Sequence, residues 1–296
     1  MAKAKQHYVP QSILRNFKCE AKVAQPKIFC LSKKSCKIFA SDIIDTAAER
    51  DYYNKKESSK LPSDDYDAIF DKLDNDIAPI LQKIIAESNI TCIDKTEREH
   101  LDKFTASQYL RTPAIRGITK RFNSEDKDEA REFHSRTLID PNEKANIFAF
   151  LNSVFNGLEL SLIKSDNDNQ FIIGDSPVLF DPTAHGIFFP INPDYCLHYY
   201  HGEPIPLPSM CINRLEFLGA DSHVYAKTEK SLNDVLHNIH NNAIDDFCKL
   251  KNQNSYWQCI LENSKDIHIN PFKICINKFA NAIYKPLVDC LISESV

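Results

Sequence analysis

Apolar residues recur at steps of three and four in several stretches of this chain and form short runs in others. Ile13, Leu14 and Phe17 share one face of a helix expected from Pro10 to Phe17. Pro10 suits its first turn, where a missing N–H costs nothing. Tyr66, Ile69, Phe70, Leu73, Ile77, Ile80, Leu81, Ile84 and Ile85 predict a helix over about 64–88, kinked or divided at Pro79. A second helix, over about 96–121, starts near Asp94 or Thr96, either of which could cap it. It carries Leu101, Phe104, Gln108 and Arg111 toward Pro113. Ile147, Phe148, Leu151, Val154, Phe155 and Leu158 predict another over about 141–158. Leu232, Val235, Leu236, Ile239, Ala243 and Phe247 predict a last one over about 230–251.

Strand signals lie between these blocks. Residues 27–31 and 36–39 read as a hairpin turning at Ser32-Lys33-Lys34-Ser35. Residues 160–163 and 170–173 read as a second hairpin around Asp166-Asn167-Asp168-Asn169. Further strand-like pieces are 186–190, 196–200 and 223–226. The expected class is α+β, with small antiparallel sheets or hairpins packed with a helical block. One compact domain over 1–296 is expected, with a helical subregion at about 64–158. Each set of strands is too small to stand alone, so the N-terminal segment should pack against the later strands.

Composition narrows the class. The 296 residues are 43% apolar, ordinary for a globular protein. No run of eighteen apolar residues occurs, so no membrane partner is expected. Met1-Ala2-Lys3-Ala4-Lys5 lacks an apolar stretch after its basic start and does not read as a signal peptide. The expected location is the cytoplasm. The ten cysteines are scattered, without a CxxC pair. Disulfides and a paired-ligand zinc site are therefore not expected.

Charge is uneven. Residues 1–37 hold nine Lys and Arg and one acid, Glu20, so +8 here against −5 overall leaves −13 on the rest. Such asymmetry points to a nucleic acid or nucleotide near residues 1–37. The plainer alternative is a solvated basic surface balanced in space by the acidic remainder.

Three landmarks occur in order: Gln6-His7-Tyr8-Val9-Pro10-Gln11 with Leu14-Arg15-Asn16-Phe17, then Gln108-Tyr109-Leu110-Arg111-Thr112-Pro113, then Phe171-Ile172-Ile173-Gly174-Asp175-Ser176-Pro177-Val178. They resemble a bacterial family of unknown function with an N-terminal His-Tyr-Val-Pro signature. Glu49-Arg50-Asp51-Tyr52-Tyr53 resembles that family's acidic-aromatic segment, and Phe189-Pro190-Ile191-Asn192-Pro193 its later strand and turn. The resemblance spans about residues 5–225. It brings no assigned activity. It implies only the company of stand-alone bacterial proteins with the habit of defence or toxin genes.

The chemistry must come from residue types. His7 can act as a general base or metal ligand near neutral pH. Asp175 follows a buried strand and precedes a rigid Ser-Pro turn, a place to hold a metal or orient a histidine. Glu49 and Asp51 add a second acidic cluster. Gln108, Arg111 and Arg116 could neutralise a phosphate, and Gln6, Gln11 and Arg15 lie beside His7. Together they suggest a nuclease or other phosphodiester hydrolase, with or without Mg²⁺ or another divalent cation. The alternative is a non-catalytic module that binds a nucleotide or nucleic acid as a sensor.

Each candidate also has a plainer role. His7 could cap a helix, Asp175 could close an Asx-turn, and Glu49 and Asp51 could decorate a loop. Gln108 and Arg111 could stitch helices together. His198, Tyr199, Tyr200 and His201 alternate faces of a strand and read as mainly structural. No P-loop, dinucleotide fingerprint or Gly-x-Ser-x-Gly elbow occurs.

Overall fold

The computed structural model describes residues 5–20, 25–50, 52–53, 66–116, 134, 147–166, 168–180, 186–204 and 206–241. Among them the fold is α+β. The N-terminal segment runs as strand β1 (Lys5–His7), helix α1 (Gln11–Leu14) and a 3₁₀ turn (Arg15–Phe17). Pro10 sits one step earlier than expected, as the N-cap with φ −56° and ψ 141°. Its ring-fixed φ suits either place. Ile13, Leu14 and Phe17 are fully buried, as their spacing predicts.

The first hairpin forms as expected from β2 (Lys27–Ser32) and β3 (Lys37–Asp42). Cys36 closes its turn with φ +52°. A second short strand, β4 (Ala48–Arg50), pairs antiparallel with β1, Gln6 opposite Glu49 and His7 opposite Ala48. Three-residue strands with ordinary polar residues carry no readable alternation, so this pair is invisible in the sequence.

Helix α2 (Tyr66–Glu87) is not divided by Pro79. Buried Ile77, Ile80, Leu81 and Ile84 anchor it on both sides of the proline. Helix α3 (Lys95–Leu110) starts at Asp94 with a capping box: Asp94 accepts from the Glu97 N–H and Glu97 accepts from the Asp94 N–H. It ends earlier than 121. Arg111 is its C-cap, and Thr112 precedes Pro113, which disfavours helical backbone there. Residues 113–116 resume a helical turn, and 117–121 lie outside the described residues.

The next helix, α4 (Ile147–Asn156), lies within the expected 141–158, whose first residues are outside those described. After it come β5 (Glu159–Lys164), β6 (Ile173–Gly174), β7 (Leu179–Phe180), β8 (Ile187–Pro190) and β9 (Tyr195–Tyr200). Helix α5 (Ser209–Gly219), strand β10 (His223–Ala226) and helix α6 (Glu229–Asn241) complete the described chain. The antiparallel sheets are β1-β4, β3-β2-β10-β6 and β5-β9-β8-β7.

The second expected hairpin does not form. Residues 160–163 pair with β9, whereas Ile173 and Gly174 pair with β10 in the other sheet. Among the described residues a single isolated bridge, Asp166 to Asn169, joins the two arms. The cause is α5, which no apolar spacing had marked. Its Asn213 accepts from the Ile172 N–H and donates to the Gln170 carbonyl, taking the place of a partner strand. Its Glu216 accepts from the Gly174 N–H at 2.6 Å. Burial pushes the Glu216 carboxyl well above the usual range. A Cβ at Gly174 would meet the Glu216 carbonyl at 3.1 Å, so the close approach favours glycine.

Two apolar clusters hold the layers. The larger joins α1, α2, α3 and α4 to β8 and β9, with Phe104 stacked on Phe189. The smaller gathers Leu31, Ile172, Val224, Leu232 and Val235 between the β2-β10-β6 sheet and α6. The N-terminal segment therefore packs on the later strands: β2 pairs with β10, and Asn16 donates to the Ile191 carbonyl at 3.0 Å.

Candidate functional site

The β1–α1 segment is held by bonds at nearly every residue. Gln6 is buried, and its Oε1 accepts from the Tyr53 N–H at 2.6 Å. The Tyr53 hydroxyl donates to the His7 carbonyl at 3.1 Å. The Tyr8 N–H donates to the Ala47 carbonyl, and Gln108 of α3 donates to the Tyr8 carbonyl at 2.9 Å. These bonds fix the backbone on both sides of His7 and so aim its ring.

That ring lines a cleft of about 720 Å³. One wall carries Lys5, Gln6, His7, Gln11 and Arg15, and the other carries Asp71, Asp74 and Asn75 of α2. Asp45 and Tyr53 also reach it. The buried Nε2 of His7 has no hydrogen-bond partner among the described residues. Burial lowers the pKa of the imidazole below its ordinary value, and the Arg111 and Lys5 charges push the same way. The Ile43 and Ile44 carbonyls oppose this and do not prevail. Burial thus biases the ring toward its neutral form, and the residue lines the cleft.

Charges around it are largely compensated. Lys5 pairs with Asp45. Arg111 lies behind the wall with no exposed surface, between the rings of Phe70 and Phe104. Its guanidinium donates to Gln108 Oε1 at 2.6 and 2.8 Å and to Asp74 Oδ1 at 2.8 Å. Burial raises the Asp74 pKa, while Arg111 pulls it back. Arg15, exposed, donates only to Gln11 Oε1, at 2.9 Å, among the described partners, which leaves its charge open to a ligand.

Other expected members stand elsewhere. Arg116 pairs with Glu49 through contacts of 2.8 and 3.0 Å and covers the Tyr52 ring at 4.1 Å. Neither lines the cleft. Asp51 lies outside the described residues. Asp175 is fully buried and is absent from the cleft wall. Its carboxylate accepts from the Asp221, Ser222 and His223 N–H groups at 2.6, 2.8 and 2.9 Å, and from the Ser222 hydroxyl at 2.9 Å. Four donors occupy it, so it organises the turn into β10. Among the described residues the cleft gathers His7 with Asp45, Asp71 and Asp74, and neither Glu49 nor Asp175 lines it. Among the described residues, no three His, Cys, Asp or Glu side chains are grouped to hold a metal ion.

Residues 5–230 match a family described as a protein of unknown function, DUF4238. The chain belongs to it. The match runs from β1 into the first turn of α6, so every residue of the cleft lies within the DUF4238 region. No curated protein and no solved structure matches the chain.

Within this DUF4238 chain, the α2 carboxylates were the part that sequence reasoning missed. Their signal was present. Phe70, Asp71, Asp74, Asn75 and Ala78 are spaced for one helix side, beside the apolar stripe that marks α2. The basic segment also needs revision. Lys5 and Lys27 pair with Asp45 and Asp42, and Lys33 Nζ donates to the Leu218 and Ala220 carbonyls at the end of α5. Lys33 is thus a structural anchor, whereas Lys18, Lys34 and Lys37 are exposed. Among the described residues no helix is long and apolar enough to cross a membrane. Cys19, Cys30, Cys36, Cys92, Cys196 and Cys211 are free thiols.

Proposed function

We propose that the protein is a phosphodiester hydrolase acting from the cleft beside His7, in the cytoplasm, as a toxin-like effector. The observation that carries this is His7, which lines the cleft with an imidazole that burial biases toward its neutral form, beside Arg15, whose charge is left open. A general base must be unprotonated at working pH and held in place; burial favours the unprotonated ring, and the bonds on both sides of His7 hold its backbone. Arg15 would meet the phosphate, bidentately where the geometry allows. Asp71, Asn75 and Gln11 would fix the sugars on either side. Free cysteines agree with a reducing compartment.

The test is cleavage of labelled oligonucleotides by the purified chain and by His7→Ala. Loss of about 10²–10⁴-fold in rate, with an unchanged melting temperature, is expected. A folded His7→Ala protein with wild-type activity removes the reading. Expression should also slow growth in a His7-dependent way.

A second reading is a nucleotide-binding sensor without turnover. The ion pairs Lys5–Asp45 and Arg111–Asp74 favour it, since they leave the cleft close to neutral and pre-ordered. Calorimetry with mononucleotides, showing binding but no product, would decide for it.

A further inference from the structure

Resting on the hydrolase reading, we infer that the cleft selects a phosphodiester link, the monoanion between two sugars, over a terminal phosphate. The selection comes from one attracting and one repelling charge, Arg15 and Asp71, on its two walls.

The charged side chains of the cleft sort into pairs and a remainder. Lys5 holds Asp45, and Arg111 holds Asp74. Opposite charges in contact largely cancel for a ligand farther away. Arg15 and Asp71 are left. Both are exposed and both line the cleft, Arg15 from the N-terminal segment and Asp71 from α2. Among the described partners Arg15 donates only to the neutral Gln11 Oε1. The rest of its guanidinium fork suits two oxygens of one phosphate.

Asp71 limits how much negative charge the ligand can bring. A diester link brings one charge, which Arg15 answers. A terminal monoester carries nearly two at neutral pH, because its second pKa is about 6. The second charge is set against Asp71. At about 6 Å, between the dielectric of water and that of a protein surface, one such repulsion weakens binding roughly tenfold.

The same wall matches what flanks a link. Asn75 stands one helical turn from Asp71, is exposed, and also lines the cleft. Carboxylate and amide oxygens accept from sugar hydroxyls, and a link has a sugar on each side. About 720 Å³ is the volume class of small-ligand sites, enough for a link with its two sugars.

Turnover uses the same asymmetry. Water adds across one phosphorus–oxygen bond of the link, giving an alcohol and a monoester and releasing a proton at neutral pH. The new end carries the charge that Asp71 repels, which favours its release.

The test measures Kd by calorimetry with the full chain at neutral pH, for three dinucleotides of one sequence. One has an uncharged methylphosphonate link. One has a hydrolysis-resistant phosphorothioate link with one charge. One has that link and a terminal phosphate as well. The singly charged probe should bind about tenfold more tightly than either of the others. Arg15→Gln should remove its lead over the uncharged probe. Asp71→Asn should remove its lead over the terminally phosphorylated one. Unchanged melting temperatures check that both variants fold. A cyclic mononucleotide and a longer phosphorothioate strand, run alongside, separate the sources of the link. Tighter binding of the first assigns it to a cyclic nucleotide and of the second to a nucleic acid, and either supports diester selection. A terminal phosphate that tightens wild-type binding, a lead unchanged in Asp71→Asn, or no binding of any probe would overturn the inference. Cleavage of oligonucleotides with the wrong charge order leaves the hydrolase reading standing. The expected order without turnover of a cleavable strand keeps the selection and removes the hydrolase reading.

Discussion

Arg111 and Asp74 form a 2.8 Å ion pair that ties the end of α3 to the α2 wall of the cleft. The arginine has no exposed surface, and two aromatic rings flank it. The pair explains why an amide and a guanidinium lie on a helix stripe that also carries Phe104. Gln108 orients Arg111 while its own amide holds the Tyr8 carbonyl, so α2, α3 and the His7 segment are joined by one polar chain.

Breaking that chain should be costly. Arg111→Met would leave Asp74 and Gln108 without their donor in a low-dielectric site. A loss of about 3–5 kcal/mol is expected, as for one partner of a buried pair. Denaturant unfolding of Arg111→Met, Asp74→Asn and the double variant measures it. The double should be less destabilised than the sum, because both changes remove one interaction. Additive losses would show that the pair is not coupled.

Asp175 should prove a structural residue. Asp175→Asn replaces one of two acceptor oxygens with an N–H₂ group facing backbone donors. About 1–3 kcal/mol of stability should be lost for each donor left unsatisfied, with activity falling only in proportion to the folded fraction. Thermal unfolding alongside specific activity separates this from a catalytic loss. A fully folded Asp175→Asn protein without activity would return the residue to the site.

The hairpin tip gives a paired comparison. Lys33 and Lys34 are neighbours, yet Lys33 donates to two carbonyls at the end of α5 and Lys34 is exposed. Lys33→Ala should cost about 1–3 kcal/mol through unsatisfied carbonyls. Lys34→Ala should stay within about 0.5 kcal/mol of wild type. Equal effects on the melting temperature would contradict the anchoring role.

Much of the fold was legible because long helices and the first hairpin announce themselves by period. Ile77, Ile80, Leu81 and Ile84 define α2, and Asp94 with Glu97 defines the start of α3. Helix α5 was not legible, since its buried face carries Asn213 and Glu216, which read as surface residues until their strand-like partners are seen. The site was half legible. Polar residues crowded beside Pro10 marked His7, Gln6, Gln11 and Arg15. The partner wall is 64 positions from His7 at Asp71, and pairing at that range depends on tertiary packing. The backbone donors of Asp175 were not legible either, because a carboxylate at a strand end looks alike in sequence whether its acceptors face a ligand or a backbone turn.

The last prediction concerns pH and His7. Its folded-state pKa lies below the ordinary 6.5 because burial disfavours the charged ring. The unfolded chain therefore binds more protons than the folded one between the folded-state value and 6.5. By linkage, stability rises with pH through that window. The neutral ring's contribution is fully present above 6.5 and is lost as pH falls through the folded-state pKa. His7→Gln keeps a polar side chain and removes the titration, so its stability should be flatter over the same window. Denaturant midpoints of both proteins from pH 5 to 8 test this, and NMR titration of the His7 ring gives the pKa directly. Arg111→Met adds a signed check. Removing a cation that lowers the His7 pKa should move it up toward 6.5. A His7 that titrates above 6.5 would mean that burial does not hold the ring neutral.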